Sequence, residues 1–144
     1  MANVERKARV TWEGNLVQGN GTLTSLSSGV LQEAPVTWAS RTSNPEGKTS
    51  PEELIAGAHA TCYAMVLSLT LANNGNEPGR LQVEAVCTFD DEAEKVTSSE
   101  LYVSGEVPGL DAAGFEEMAK QAEPHCPVSN ALRNNVDIRL HVNV

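Results

Sequence analysis

Ser50-Pro51-Glu52-Glu53-Leu54-Ile55-Ala56-Gly57-Ala58-His59-Ala60-Thr61-Cys62-Tyr63-Ala64-Met65-Val66 is the stretch on which the fold turns. Serine ahead of proline is a helix entry. Ser50 suits the N-cap, Pro51 has no N–H to leave unsatisfied in the first turn, and Glu53 completes a capping box. Asn74-Gly75 is the next stop signal, so the reading predicts one helix from Pro51 to about Asn73. At helical spacing, Leu54, Ile55, Ala58, Cys62, Met65, Val66 and Leu69 fall on one stripe, which would turn Cys62 toward a packed interior or an interface. The other faces carry Ala56, Gly57, Ala60, Tyr63 and Ala64 in place of charges. A helix with almost no polar face is normally enclosed on most sides, so this one is expected at the centre of the fold.

Working outward, Arg6 to Leu26 alternates around Ala8, Val10, Trp12, Thr22, Leu23 and Thr24, with turn residues Gly14, Asn15, Gly19, Asn20 and Gly21 between, and predicts an N-terminal hairpin. Val30 to Trp38 contains Pro35, which cannot donate to a central ladder, and predicts an edge strand. Arg41 to Ser50 holds almost nothing apolar and reads as a loop. Beyond the helix, Leu81–Phe89 and Val96–Val107 predict a hairpin with an acidic tip at Asp90 to Glu94. Asp111 caps a helix to about Ala122, Pro124-His125-Cys126-Pro127 interrupts it, a short helix covers Val128–Asn134, and Val136–Val144 alternates as a last strand. No internal repeat appears. The order β-β-β-α-β-β-α-α-β, with hairpins and segregated helices, predicts an α+β architecture and excludes a doubly wound parallel sheet.

Composition bounds the rest. A chain of 144 residues fits one domain, expected to span 1–144. With 40% hydrophobic but only 4% aromatic residues, its core must rest on Val, Leu, Ala and Ile. A formal charge of −9 with only 10 scattered Lys and Arg argues against a nucleic-acid partner, since phosphate affinity needs clustered cations. Met1 to Arg9 is charged and carries no apolar run, so neither a secretory signal nor a membrane span is expected there, and a cytoplasmic protein is the expectation. Three cysteines without an export signal speak against a disulfide framework and for reduced thiols, reactive or buried.

Each cysteine has its own reading. Cys62, mid-helix, gains little from the macrodipole, so a thiolate there would need a cation brought by tertiary structure; alone it reads as a small buried hydrophobe. Cys126 precedes Pro127 at a helix entry, where orphan N–H groups lower a thiol pKa, and locally looks the more acidic of the two. Cys87 alternates in phase with Val83, Ala85 and Phe89 as a core strand residue. His59-x-x-Cys62 and His125-Cys126 could in principle offer nitrogen and sulfur to zinc, but adjacent residues seldom share one ion and no CxxC pair exists, so no metal is expected. A Ser-His-Asp hydrolase lacks its Gly-x-Ser-x-Gly elbow. His59 reads as a satisfied packing histidine.

Thr49-Ser50-Pro51-Glu52-Glu53-Leu54-Ile55-Ala56-Gly57-Ala58-His59-Ala60-Thr61-Cys62-Tyr63 closely resembles the central-helix signature of the OsmC/Ohr family, and Cys126-Pro127-Val128-Ser129-Asn130-Ala131-Leu132 resembles that family's second cysteine motif. The element order agrees over nearly the whole chain. The resemblance implies an OsmC-like fold, with antiparallel sheets packed on a long central helix in an intertwined homodimer. It implies a thiol-dependent peroxidase in which Cys62 attacks an organic hydroperoxide as thiolate, becomes a sulfenic acid and condenses with Cys126 to a redox-active disulfide, reset by an external dithiol with no resident cofactor. That assignment overrides the local preference for Cys126.

The resemblance also reaches the activating cation. No arginine lies between residues 10 and 40, where the Ohr branch carries it, whereas Arg41 in Trp38-Ala39-Ser40-Arg41 matches the OsmC-branch position. It implies that Arg41 holds the Cys62 thiolate, with Glu52 fixing the guanidinium as a bidentate partner. Glu52 and Cys62 are about 15 Å apart along a straight helix, too far to share one guanidinium easily, so Glu52 is expected to serve the partner chain's Cys62. An apolar pocket around Met65 would favour organic over hydrogen peroxide. The alternative is a non-catalytic protein of the same fold that binds a small apolar ligand.

Overall fold

A computed structural model describes residues 3–143; Val144, at the end of the expected last strand, and Met1 and Ala2 lie outside the described residues. The chain divides into two compact units, one ending at Glu53 and the other beginning at Leu54.

The first unit is a three-stranded antiparallel sheet ordered β1-β2-β3, with β1 Ala8–Glu13, β2 Asn20–Leu26 and β3 Ala34–Val36. The hairpin is the expected one. The third strand is shorter than the apolar patch suggested, because Leu31 and Glu33 take positive φ, 54° and 59°, and turn the chain before Ala34. Pro35 sits in the edge strand, where a missing N–H is tolerated, and its carbonyl accepts from Thr49 N at 2.9 Å. Arg41 is not in a loop: Thr37 opens a helix α1, Trp38–Thr42, its hydroxyl accepting from Ser40 N while the Ser40 hydroxyl accepts from Thr37 N, both at 3.0 Å. Five residues give no hydrophobic period, which hid this helix.

The long helix α2 is Pro51–Asn73, as predicted. Glu53 N donates to Ser50 Oγ at 3.2 Å, and the Glu53 carboxylate accepts from the Thr49 hydroxyl at 2.8 Å. It stops at Gly75, φ 81°, with Asn76 N–H returning to the Leu71 carbonyl at 2.9 Å, a left-handed cap suited to glycine. The buried stripe differs from the expected one. His59, Tyr63, Leu67 and Leu71 are fully buried, Cys62 and Val66 are half-buried, and Met65 and Leu69 stand 68% and 60% exposed. Both faces are apolar, so the period fixes the helix but not the side that packs.

In the second unit, β4 Arg80–Asp90 and β5 Lys95–Glu106 form the expected hairpin, and β6 Asp137–Val142 joins β5 in parallel, so the sheet β4-β5-β6 is mixed where antiparallel pairing was expected throughout. Helix α3, Ala112–Ala122, starts at Asp111, whose carboxylate accepts from Gly114 N at 2.8 Å. A 3₁₀ turn, Glu123–His125, leads to α4, Pro127–Leu132. Tyr63, Leu67 and Leu71 pack with Leu101, Val103, Phe115, Ala119, Ala122 and Cys126 into one core. The architecture is the predicted α+β class.

Candidate functional site

The site residues expected from sequence fall into two groups, one in each unit. In the first unit Arg41 and Glu52 grip one another. Glu52 is 7% exposed and takes Arg41 Nε at 3.0 and 3.2 Å and Nη2 at 2.8 Å, the side-on fork available only to a guanidinium. Local structure sets this up. The buried Ser40 hydroxyl donates to the Thr49 carbonyl at 2.8 Å, and Val36 bridges Thr49, so α1 is tied to the segment that leads into α2. Trp38 lies under the Arg41 guanidinium at 5.9 Å.

In the second unit Cys62 and Cys126 meet. Cys126 is fully buried as N-cap of α4, and its sulfur accepts from Ser129 N at 3.5 Å. Half-buried Cys62 packs against the core that holds Cys126, with the Cys126 thiol and the Val128 amide near enough to act on its charge. Burial pushes the Cys62 thiol pKa up, the Val128 amide pulls it down by favouring the thiolate, and the neighbouring Cys126 adds to the rise. The two thiols are free and adjacent, and the local field favours the protonated form at Cys62.

Among the described residues no buried side-chain nitrogen or oxygen lacks a hydrogen-bond partner. His59 is buried with Nδ1 2.7 Å from Ser99 Oγ and Nε2 2.7 Å from Ser129 Oγ, the packing role read from sequence. Both its nitrogens are thus committed to serines. Tyr63 donates its hydroxyl to the Ala119 carbonyl at 2.7 Å, and burial raises its pKa. Ser99 and Ser129 escaped the sequence reading, although Ser99 carries a signal: it stands in phase with Leu101 and Val103 on the core face of β5, where a hydroxyl needs a partner. Among the described residues no group of three or more His, Cys, Asp or Glu side chains is arranged to hold a metal ion. Met65 is exposed, and the nearby groove of about 380 Å³ adds Thr70, Gln121 and His125 to Val66 and Leu69.

An α+β frame that packs a free thiol on a long apolar helix against the core holding a second free thiol, at the entry to α4, defines the class, and comparison with known proteins gives the family. Residues 43–141 match the family described as OsmC-like protein. The chain is 36% identical over 137 residues to the peroxiredoxin OsmC of Escherichia coli strain K12, covering 94% of each. It is 33% identical over 104 residues to the organic hydroperoxide resistance protein OhrA of Bacillus subtilis strain 168, covering 67% of this chain and 69% of that one. The solved structure of an organic hydroperoxide resistance protein from Elizabethkingia anophelis superposes with a TM-score of 0.73 over 99% of both chains at 23% identity, a likeness of fold. The chain belongs to the OsmC-like protein family, whose named members support a peroxidase role at the family level.

Proposed function

We propose that this chain is a thiol peroxidase that reduces organic hydroperoxides through Cys62 and Cys126, working as a homodimer in the cytoplasm with a dithiol as external reductant and no resident cofactor. The observation that carries the reading is the packing of the free Cys62 against the core cluster that holds the free Cys126. The Cys62 thiolate attacks one peroxide oxygen, the O–O bond breaks, and the alkoxide leaves and is protonated to an alcohol. Cys62 is then a sulfenic acid. Cys126 displaces its hydroxyl as water to form the disulfide, and the dithiol reduces that bond while becoming a disulfide itself.

The step that needs help is the first. Within its own unit the Cys62 thiol is pushed up, so a thiolate near neutral pH demands a cation. Arg41 is that cation in our reading, its guanidinium held by Glu52 in a fixed orientation. The pair is assigned to the partner's Cys62.

The test is consumption of cumene hydroperoxide with dihydrolipoamide, comparing wild type with Cys62→Ser and Cys126→Ser. Turnover is expected to vanish in Cys62→Ser and to stall in Cys126→Ser after about one equivalent. Full turnover in Cys62→Ser would sink the peroxidase reading and leave small-ligand binding on the same fold.

A further inference from the structure

His59, Ser99 and Ser129 form a buried polar unit that the peroxide chemistry does not use. All three are fully buried, on α2, β5 and α4 respectively. A neutral imidazole has one N–H and one lone pair, so one serine hydroxyl accepts from the ring and the other donates to it. Burial lowers the His59 pKa against the opposing pull of the Glu123 carboxylate, which keeps the ring in the neutral form. Hydrophobic packing alone could fill this volume. What a satisfied polar cross-link adds is direction, because it fixes which atoms meet.

The cross-link leads to the thiols. Ser129 N donates to Cys126 Sγ at 3.5 Å, and Cys62 and Val128 both pack against the core that holds Cys126. On α2, Cys62 lies three residues after His59, on the next turn of the same side. The ring therefore joins the turn before one cysteine to the turn after the other. Helix α4 has only 6 residues, too few to hold its place by its own hydrogen bonds. Building on the peroxidase reading, we propose that His59 is a positioning residue for disulfide closure: through Ser129 it fixes the first turn of α4 so that Cys126 faces Cys62. In that step the Cys126 sulfur attacks the sulfenic sulfur of Cys62, the S–S bond forms as the S–O bond breaks, and the departing hydroxide carries away the Cys126 proton as water. In-line attack of this kind loses roughly 10²-fold for a displacement of about 1 Å.

The experiment oxidises reduced protein with one equivalent of cumene hydroperoxide in the presence of dimedone. The ratio of Cys62–Cys126 disulfide to dimedone-labelled Cys62 is read by mass spectrometry. Glutamine at position 59 carries its amide at about the depth of Nε2 and keeps the Ser129 bond, whereas asparagine reaches only the depth of Nδ1 and keeps the Ser99 bond. The ratio is expected to fall roughly tenfold or more in His59→Leu, His59→Asn and Ser129→Ala, and to recover most of its value in His59→Gln. A merely structural histidine would make the two amide variants alike. Equal ratios in them, or a wild-type ratio in Ser129→Ala, overturns the proposal, and these variants carry the test if His59→Leu does not fold. Wild type that yields neither disulfide nor label refutes the peroxidase reading instead. Glutathione redox buffers then measure the effective concentration of the two thiols without peroxide, and an unchanged value in Ser129→Ala overturns the positioning role by itself.

Discussion

A thiol sheltered from water keeps its proton unless a charge or an N–H favours the anion, and among the described residues the one group that lowers the Cys62 pKa is the Val128 amide. If Arg41 supplies the missing charge, its removal has a sign that can be worked out. Arg41→Ala withdraws a cation from the thiolate, so the Cys62 pKa rises further. Both alkylation by iodoacetamide and reaction with hydroperoxide then follow pH curves displaced to higher pH. At pH 7 the peroxide rate constant is expected to fall by about 10²-fold, on the scale of losing one preorganised charge contact, and to recover in part as pH rises. Arg41→Lys keeps the charge but loses the fork on Glu52, and should recover only part of the rate. An alkylation profile unmoved in Arg41→Ala would separate Arg41 from Cys62.

At the scale of elements, α2 shows what a sequence discloses and what it withholds. Its ends were legible because Ser50, Pro51, Asn74 and Gly75 are local signals that act through backbone hydrogen bonds. Its packed face was not, since Ile55, Met65, Val66 and Leu69 are as apolar as Tyr63, Leu67 and Leu71, and only tertiary structure chooses between them. The same limit explains α1, too short for a period, and the parallel pairing of β6, which no pattern within one strand announces. The two cysteines and Arg41 were readable as residue types in motifs. Ser99 and Ser129 were not, because a serine becomes informative only when the structure shows it buried against a ring nitrogen. The two faces of α2 give a direct check by urea unfolding below the concentration of self-association. Leu67→Ala, which empties a fully buried site, is expected to cost about 2–5 kcal/mol. Leu69→Ala, 60% exposed, should stay within roughly 0.5 kcal/mol.

For the whole molecule, the exposed face of α2 is the physical reason to think of two chains rather than one. By length and composition α2 could cross a membrane, yet most of its apolar length is not buried within the chain. Leu54, Met65 and Leu69 lie open on it, and Val10 and Trp12 are exposed on β1. Exposed apolar faces of this kind, each in its own unit, call for a cover in water, and a second copy is the cover we propose. Because Arg41 and Glu52 hold each other within one chain, in our proposal they serve one and the same Cys62, on their own chain or on the second copy. Mixing two inactive variants answers this. If Arg41 acts across the interface, a dimer of Cys62→Ser with Arg41→Ala pairs an intact Arg41 on the first chain with an intact Cys62 on the second and regains one working site. The random mixture then recovers about one quarter of wild-type activity per total chain, because half the dimers are mixed and each has one site of two. If the pair acts within its own chain, every combination leaves each site short of one residue and the mixture stays as inactive as its components. Sedimentation of the mixture, with the two variants carrying different tags, establishes that subunits have exchanged, so that silence of the mixed dimer counts against the assignment across the interface.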